Sequence, residues 1–270
     1  MEIIEVILKS LKEAFDAKRF LPFFLLYLIF SLISLIFLLP IISRAPSFLA
    51  NSSSLDFQIF YSCLAGILIA FIATLLINIW FSGALVFDIK MKKGFEKCLN
   101  PSKNIYPQIF ALCLVISILV LVTFFLREFS FLFQILIDWI FLFAFPAVII
   151  KKDSFDFALG RSFNLVKKNI FTTFSFWALT RFIIFLIFLF SLFISTIVLF
   201  PIFYELKDLL YTFSQGVKSY NIVSTSSIVL RNYPILILEA FVVSLFLSLM
   251  HVFNLISKTY FFMEIIKKTK

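Results

Sequence analysis

Long apolar blocks alternate along the chain with short, mostly basic segments. The blocks cover about 20–42, 59–87, 109–126, 131–150, 170–200 and 235–256. An apolar stretch of ~20 residues crosses the ~30 Å hydrocarbon layer as a helix, the form that satisfies its own backbone there. The pattern therefore predicts six transmembrane helices.

Two of the connecting stretches carry a helical period of their own. Over 3–18, Ile3, Ile4, Ile7, Leu8, Leu11 and Phe15 share one face, with Lys9, Lys12, Glu13 and Asp16 off it. In the connector 151–169, Asp153 or Ser154 can cap a helix, with Asp156 in its first turn, where the positive dipole end favours acid. Phe155, Leu159, Phe163 and Val166 then recur at three- and four-residue spacing, and Arg161, Asn164, Lys167 and Lys168 lie largely away from them. Both stretches read as basic amphipathic helices lying in the membrane interface.

Elsewhere the pattern predicts a polar loop at 43–57, a basic loop at 88–107 and a tight turn at 127–130. It predicts a longer loop at 201–234, with a surface helix over 202–213, and a last helix continuing toward Ile266. Lys18-Arg19-Phe20-Leu21-Pro22, Lys103-Asn104-Ile105-Tyr106-Pro107 and Lys168-Asn169-Ile170-Phe171-Thr172 open spans one, three and five. They suggest three copies of one unit: surface helix, span, turn, span. The expected fold is all-α, an integral membrane bundle of six transmembrane helices with amphipathic interfacial helices, forming one polytopic domain over 1–270.

Composition strengthens this picture. The chain is 62% hydrophobic and holds 41 Phe, against roughly 45–50% apolar residues in a soluble domain. The formal charge of +9 could suggest nucleic acid, but its placement argues otherwise. Of 24 Lys and Arg, eighteen fall at the two termini and in the segments 88–107 and 151–169. Five fall on the alternate side (Arg44, Arg127, Lys207, Lys218 and Arg231), and Arg181 falls inside a span. The positive-inside rule then places both termini and both basic segments in the cytoplasm of a multi-pass cell-membrane protein. Lysine predominates, which fits contact with anionic inner-leaflet lipids and not base readout. The N-terminus carries Glu2 and Glu5 where a secretory signal would carry base, so no cleaved signal is expected.

Cys63, Cys98 and Cys113 make no CxxC motif, and His251 is the single histidine. No metal site and no cofactor are expected. No GxGxxG, P-loop or GxSxG motif occurs. A serine–histidine hydrolase would need His251 with Ser244 or Ser248 on the same helix, a poor dyad geometry. Enzymatic activity is not expected. Asn51-Ser52-Ser53 is a glycosylation-type sequon on the side opposite the basic segments.

The segment Phe145-Pro146 followed by Ala158, Leu159, Ser162, Leu165, Val166 and Asn169 resembles a known family. It is similar to the polytopic membrane domain that precedes the catalytic part of some glycerophosphoryl diester phosphodiesterases, and to related stand-alone membrane proteins of unknown function. The shared pattern is a proline near the end of span four, then Ala-Leu-x-x-Ser-x-x-Leu-Val-x-x-Asn leading into span five. The resemblance implies the six-span layout. In that family the chemistry lies in a soluble barrel after the membrane part. This sequence ends at Lys270, a few residues past the last span, so no phosphodiesterase activity is carried over.

Three constellations remain. Ser62, Gly66, Ala70, Thr74, Asn78 and Ser82 recur every fourth position on span two, a small-residue row that lets helix backbones approach closely. The row suits packing within the bundle, a dimer face, or the wall of a polar cavity. Asp138 and Arg181 fall at similar depth in spans four and five, with Glu239 near the outer end of span six. Intramembrane charges cost about 2.5–3.5 kcal/mol each on insertion scales, so Asp138 and Arg181 are expected to pair. His251 shares a broad face with Ala240, Ser244 and Ser248, where packing is the ordinary role. Two functional classes stay open. One is a non-catalytic membrane scaffold or partner-binding subunit, with a protein partner or a second copy of itself, that senses or organises lipid through its basic helices, Arg161, Lys167 and Lys168 among them. The other is a small-molecule or ion permease using Asn78, Asp138, Arg181 and Glu239.

Overall fold

The computed structural model describes residues 3–50, 54–213 and 220–268, with side chains over 3–44, 57–207 and 226–268. The sequon Asn51-Ser52-Ser53 and Lys218 lie outside the described residues. Every regular element described is a helix: α1 (Ile3–Ala14), α2 (Ala17–Ala50), α3 (Ser54–Met91), α4 (Phe95–Thr123), a 3-10 turn (Phe124–Phe129), α5 (Ser130–Ile140), α6 (Ala144–Lys151), α7 (Phe155–Lys168), α8 (Ile170–Phe213), α9 (Tyr220–Arg231) and α10 (Tyr233–Lys268).

Five helical stretches are long and apolar enough to cross a membrane: Ala17–Arg44, Phe57–Met91, Phe95–Lys151, Ile170–Lys207 and Tyr233–Lys268. The third contains two of the apolar blocks read from the sequence. Its chain reverses at the 3-10 turn, where Arg127 adopts φ 46°, and α5 and α6 pack back against α4. Large apolar side chains on these helices stay exposed, among them Leu68, Ile69, Phe185 and Phe193. Such surfaces suit hydrocarbon and not water.

Residues form two compact units, 1–23 with 77–186 and 249–270, and 24–76 with 187–248. In the first, Phe23, Phe143, Phe176, Phe253 and Phe262 are fully buried. In the second, Phe24 packs edge-on to Phe241, with ring centroids 5.0 Å apart, and Ser31 and Ser244 hydroxyls lie 3.1 Å apart.

Several expected loops are helical. The segment 88–107 is not a loop. α3 continues to Met91, a three-residue link follows, and α4 begins at Phe95 and runs through Pro101 and Pro107. Packing on α3 outweighs the two prolines. Cys98, Ser102, Ile109 and Leu112 are buried, Trp80 Nε1 donates to the Leu99 carbonyl at 3.0 Å, and Ser102 Oγ donates to the Trp80 carbonyl at 2.9 Å. The link needs Gly94, whose φ of 89° is open to glycine without strain. The expected loop at 201–234 is also largely helical: α8 passes through Pro201, and α9 follows. Glu205 on α8 accepts from Arg231 at 2.7 Å and from Asn232 Nδ2 at 2.9 Å, holding the α9–α10 junction.

The apolar faces expected on α1 and α7 divide between the protein and the exterior. On α7 the buried positions are Ala158, Ser162, Leu165 and Val166, whereas Phe163 is exposed. On α1 they are Val6, Ile7, Ser10 and Ala14, whereas Ile4, Leu8 and Phe15 are exposed. Ser10, Ala14, Ala158 and Ser162 let each helix axis approach its neighbours, and Val6, Ile7, Leu165 and Val166 pack beside them.

Candidate functional site

Asp138 lies in the last turn of α5, just before a break at 141–143. Pro146 is one cause of that break. It has no N–H to offer Leu142, and its ring crowds the carbonyl four residues back. A side chain from another helix repairs the backbone. Ser162 on α7 accepts from the Phe143 N–H at 3.0 Å and donates to the Ile140 carbonyl at 2.8 Å. Ser162 is fully buried, so both backbone groups would otherwise lie unpaired away from water.

Above the break, Asp138 gathers donors from two further helices. Its Oδ2 accepts from Trp177 Nε1 at 2.6 Å, from Arg181 Nε at 2.8 Å and from Arg181 Nη2. Trp177 and Arg181 are four residues apart on α8, hence on one face. The other oxygen faces Lys258 Nζ of α10 at 3.4 Å. Side-chain exposure is 30% for Asp138, 37% for Arg181 and 15% for Lys258. One carboxylate thus holds two cations.

An aromatic layer fixes the level of this cluster. Phe176 stacks on Phe261 with centroids 3.9 Å apart, and Phe143 lies 5.8 Å from both Phe261 and Phe262. Arg181 lies five residues beyond Phe176, about 7.5 Å, and Lys258 three residues before Phe261, about 4.5 Å.

A second charged group ties the ends of four helices. Arg19 of α2 binds Asp88 of α3 at 2.7 Å and also pairs with Glu13. The Tyr260 hydroxyl of α10 donates to Glu13 at 2.6 Å, and Lys9 of α1 sits 4.1 Å over the Tyr260 ring. The other oxygen of Asp88 takes the Gly94 N–H at 2.8 Å.

The remaining sequence candidates disperse. Asn78 is half-buried on α3, in the same unit as Asp138 and Arg181. Glu239 belongs to the other unit, where its buried Oε2 has no hydrogen-bond partner among the described residues. The small-residue row is divided likewise. Gly66 packs under Phe37 in one unit, while Ser62 is exposed and Ala70 and Thr74 are half-buried there. In the other, Ser82 Oγ lies 2.9 Å from His251 Nε2, and the His251 ring sits 5.1 Å from Phe23. His251 is thus held by Ser82 and Phe23. Arg161, Lys167 and Lys168 are exposed on α7. Arg161 Nε donates to Asp153 at 2.5 Å, and this hydrogen bond raises the Arg161 pKa. The Ser154 hydroxyl donates to Asp156 and lowers its pKa.

Sequence reasoning missed Lys258, Trp177 and the Glu13–Arg19–Asp88 group. Lys258 reads as the start of a charged tail, yet α10 continues through it to Lys268. Its seven-residue spacing from His251 is the one signal that places it on an inward face. Among the described residues no group of three or more His, Cys, Asp and Glu is placed to hold a metal ion. Comparison with protein-family models, curated proteins and solved structures gives no match.

Proposed function

We propose that this chain is a non-catalytic, six-span protein of the cell membrane that engages inner-leaflet lipid through α1 and α7. Counting α4 and α5–α6 as separate arms supports six spans. The charge distribution then supports cytoplasmic termini, and the recurring basic-to-apolar junctions support an ancestral hairpin repeat. One observation carries the lipid reading. Both α1 and α7 bury one face on the protein, Val6, Ile7, Ser10 and Ala14 on one and Ala158, Ser162, Leu165 and Val166 on the other, and turn bulky apolar side chains outward, Ile4 and Leu8 with the adjoining Phe15 on one and Phe157 and Phe163 on the other. Lysines flank both outward faces, the arrangement that seats a helix at an anionic surface. The kinship of 145–169 with the membrane domain of glycerophosphoryl diester phosphodiesterases belongs to this proposal, and the Ser162 bridge gives a physical reason for its proline–serine pairing.

Hydrogen exchange of the full chain in nanodiscs tests the reading. Anionic lipid is expected to slow exchange over α1 and α7 relative to neutral lipid. Lys167→Gln/Lys168→Gln is expected to abolish the difference over α7. Equal exchange in both lipids would end the proposal.

A permease is the second reading, favoured by the extra positive charge at Asp138, Arg181 and Lys258. Single cysteines at Asn78, Asp138, Arg181 and Glu239, in a chain lacking Cys63, Cys98 and Cys113, would react with an impermeant thiol reagent only if water reaches them.

A further inference from the structure

A groove of about 790 Å³ opens where the start of α1 and the beginning of α8 meet the end of α10. That volume lies within the ~300–1,000 Å³ of small-molecule sites. The Phe176–Phe261 stack sets its register, because α8 and α10 run in opposite directions there. Seven residues toward the helix ends from that stack are Asn169, just before α8, and Lys268 on α10, and both line the groove. Its mouth therefore holds Asn169, Lys268, Glu264 and Glu5, and its inner end holds Leu179 and Phe261. From Asn169 to Leu179 is ten residues, about 15 Å of helix.

We propose that this groove seats one phospholipid of the ethanolamine type, a phosphodiester with a primary ammonium and attached acyl chains. The inference rests on the reading of α1 as an interfacial helix, which puts the mouth at headgroup level. Charge complementarity selects the headgroup. Two carboxylates, Glu5 and Glu264, share the mouth with the Lys268 ammonium. Glu264 also meets Lys267 through one oxygen at 3.4 Å. A headgroup carrying both signs matches that arrangement, with its ammonium toward the carboxylates and its phosphate toward Lys268. A purely anionic headgroup meets the carboxylates as well as the lysine. A quaternary ammonium has no N–H to donate to them. Further in, Thr172 and Ser175 line the same α8 face, and neither hydroxyl has a hydrogen-bond partner among the described residues. They are donors for phosphate or ester oxygens. Beyond them the apolar wall receives the first methylenes of a chain, at about 0.8 kcal/mol per buried CH2.

The test is native mass spectrometry of the full chain in detergent, with ethanolamine, choline and glycerol phospholipids of identical acyl chains at equal concentration. The ethanolamine lipid is expected to be retained about tenfold over the choline lipid, a difference of about 1.4 kcal/mol. Glu5→Gln/Glu264→Gln is expected to erase that preference, and Ser175→Leu to lower retention of all three by narrowing the groove. Should the double charge variant fail to fold, Glu264→Gln alone is expected to weaken the preference, and an unchanged preference overturns the proposal. Lys167→Gln/Lys168→Gln is expected to leave the preference intact, which separates this site from the anionic contact of α7. Equal retention of the three lipids overturns the proposal, as does displacement by free phosphoethanolamine at millimolar concentration, or co-purification of a peptide in place of lipid.

Discussion

The Phe143 backbone N–H donates to the Ser162 hydroxyl at 3.0 Å, across 19 residues and between two helices. The same hydroxyl donates to the Ile140 carbonyl. α7 is thereby locked to the break between α5 and α6. Ser162→Ala leaves both backbone groups unpaired in a buried place, which costs about 1–3 kcal/mol. Pro146→Ala restores an N–H that can let the arm close into regular helix, so it is expected to lessen the effect of Ser162→Ala. Unfolding in mixed micelles of the two single variants and the double variant measures the coupling. Strictly additive losses would mean that the bridge and the break are unrelated.

Among the described residues Asp138 is the single carboxylate between Arg181 and Lys258, and this makes the cluster asymmetric. Removing Asp138 leaves two cations facing each other. Removing Arg181 leaves Asp138 with Lys258 and Trp177. A broken, fully buried ion pair costs about 3–5 kcal/mol, and partial exposure of these side chains lowers that figure. Asp138→Leu is expected to destabilise more than Arg181→Met. Adding Arg181→Met to Asp138→Leu is expected to recover part of the loss. Thermal unfolding in detergent reads the order, and a larger loss from Arg181→Met would contradict the assignment of charges.

Much of the fold is legible in the sequence because a membrane allows few solutions. Long apolar blocks must be helices, and basic connectors must sit at the surface. The failures are informative. The segment 95–107 reads as a loop because Pro101, Pro107 and its lysines suppress the helical signal, yet Trp80 and Ser102 hold it to α3. The apolar periods of α1 and α7 mark an amphipathic helix but not which of its residues meet the protein: Ile7 and Val166 are buried, whereas Ile4, Leu8 and Phe163 stay exposed. Asp138 and Arg181 could be matched by depth. Lys258 was harder: the helix was expected to run past it, but only its seven-residue spacing from His251 hints that it faces inward.

Two glycines of α3 separate a tolerant contact from a strict one. A Cβ on Gly66 would lie 2.5 Å from Phe37 Cζ, the far edge of a ring that can turn aside. A Cβ on Gly83 would lie 2.3 Å from Ser102 Oγ and 3.0 Å from Ile109 Cδ1. Relief there means breaking the Ser102 bond to the Trp80 carbonyl. Gly66→Ala is expected to stay within about 1 kcal/mol of wild type, because alanine gains about that much helix propensity. Gly83→Ala is expected to cost about 1–3 kcal/mol. In a Ser102→Ala background the cost of Gly83→Ala should fall, since the closest atom is gone. Chemical denaturation in micelles compares the three. Equal costs in both backgrounds would locate the strain at Ile109 instead.

Arg19 serves two carboxylates at once, and the geometry is specific to a guanidinium. Its Nε reaches Asp88 while Nη1 reaches Glu13, and the Asp88 side chain is only 4% exposed. Lysine offers a single point charge and cannot span both partners in the same way. Arg19→Met leaves Asp88 as a nearly buried charge with one backbone donor, the Gly94 N–H, a state that costs about 3–5 kcal/mol. Arg19→Lys is expected to recover less than half of that loss. Asp88→Asn is expected to cost less than Arg19→Met, because the amide oxygen can still accept from Gly94. The link between α3 and α4 reports the change directly. Amide exchange at Gly94 should accelerate most in Asp88→Ala, which removes its acceptor, and least in Glu13→Gln, which leaves Asp88 untouched. If Glu13→Gln accelerates Gly94 as much as Asp88→Ala does, the two carboxylates act as one unit through Arg19, and the independent role given to Asp88 is wrong.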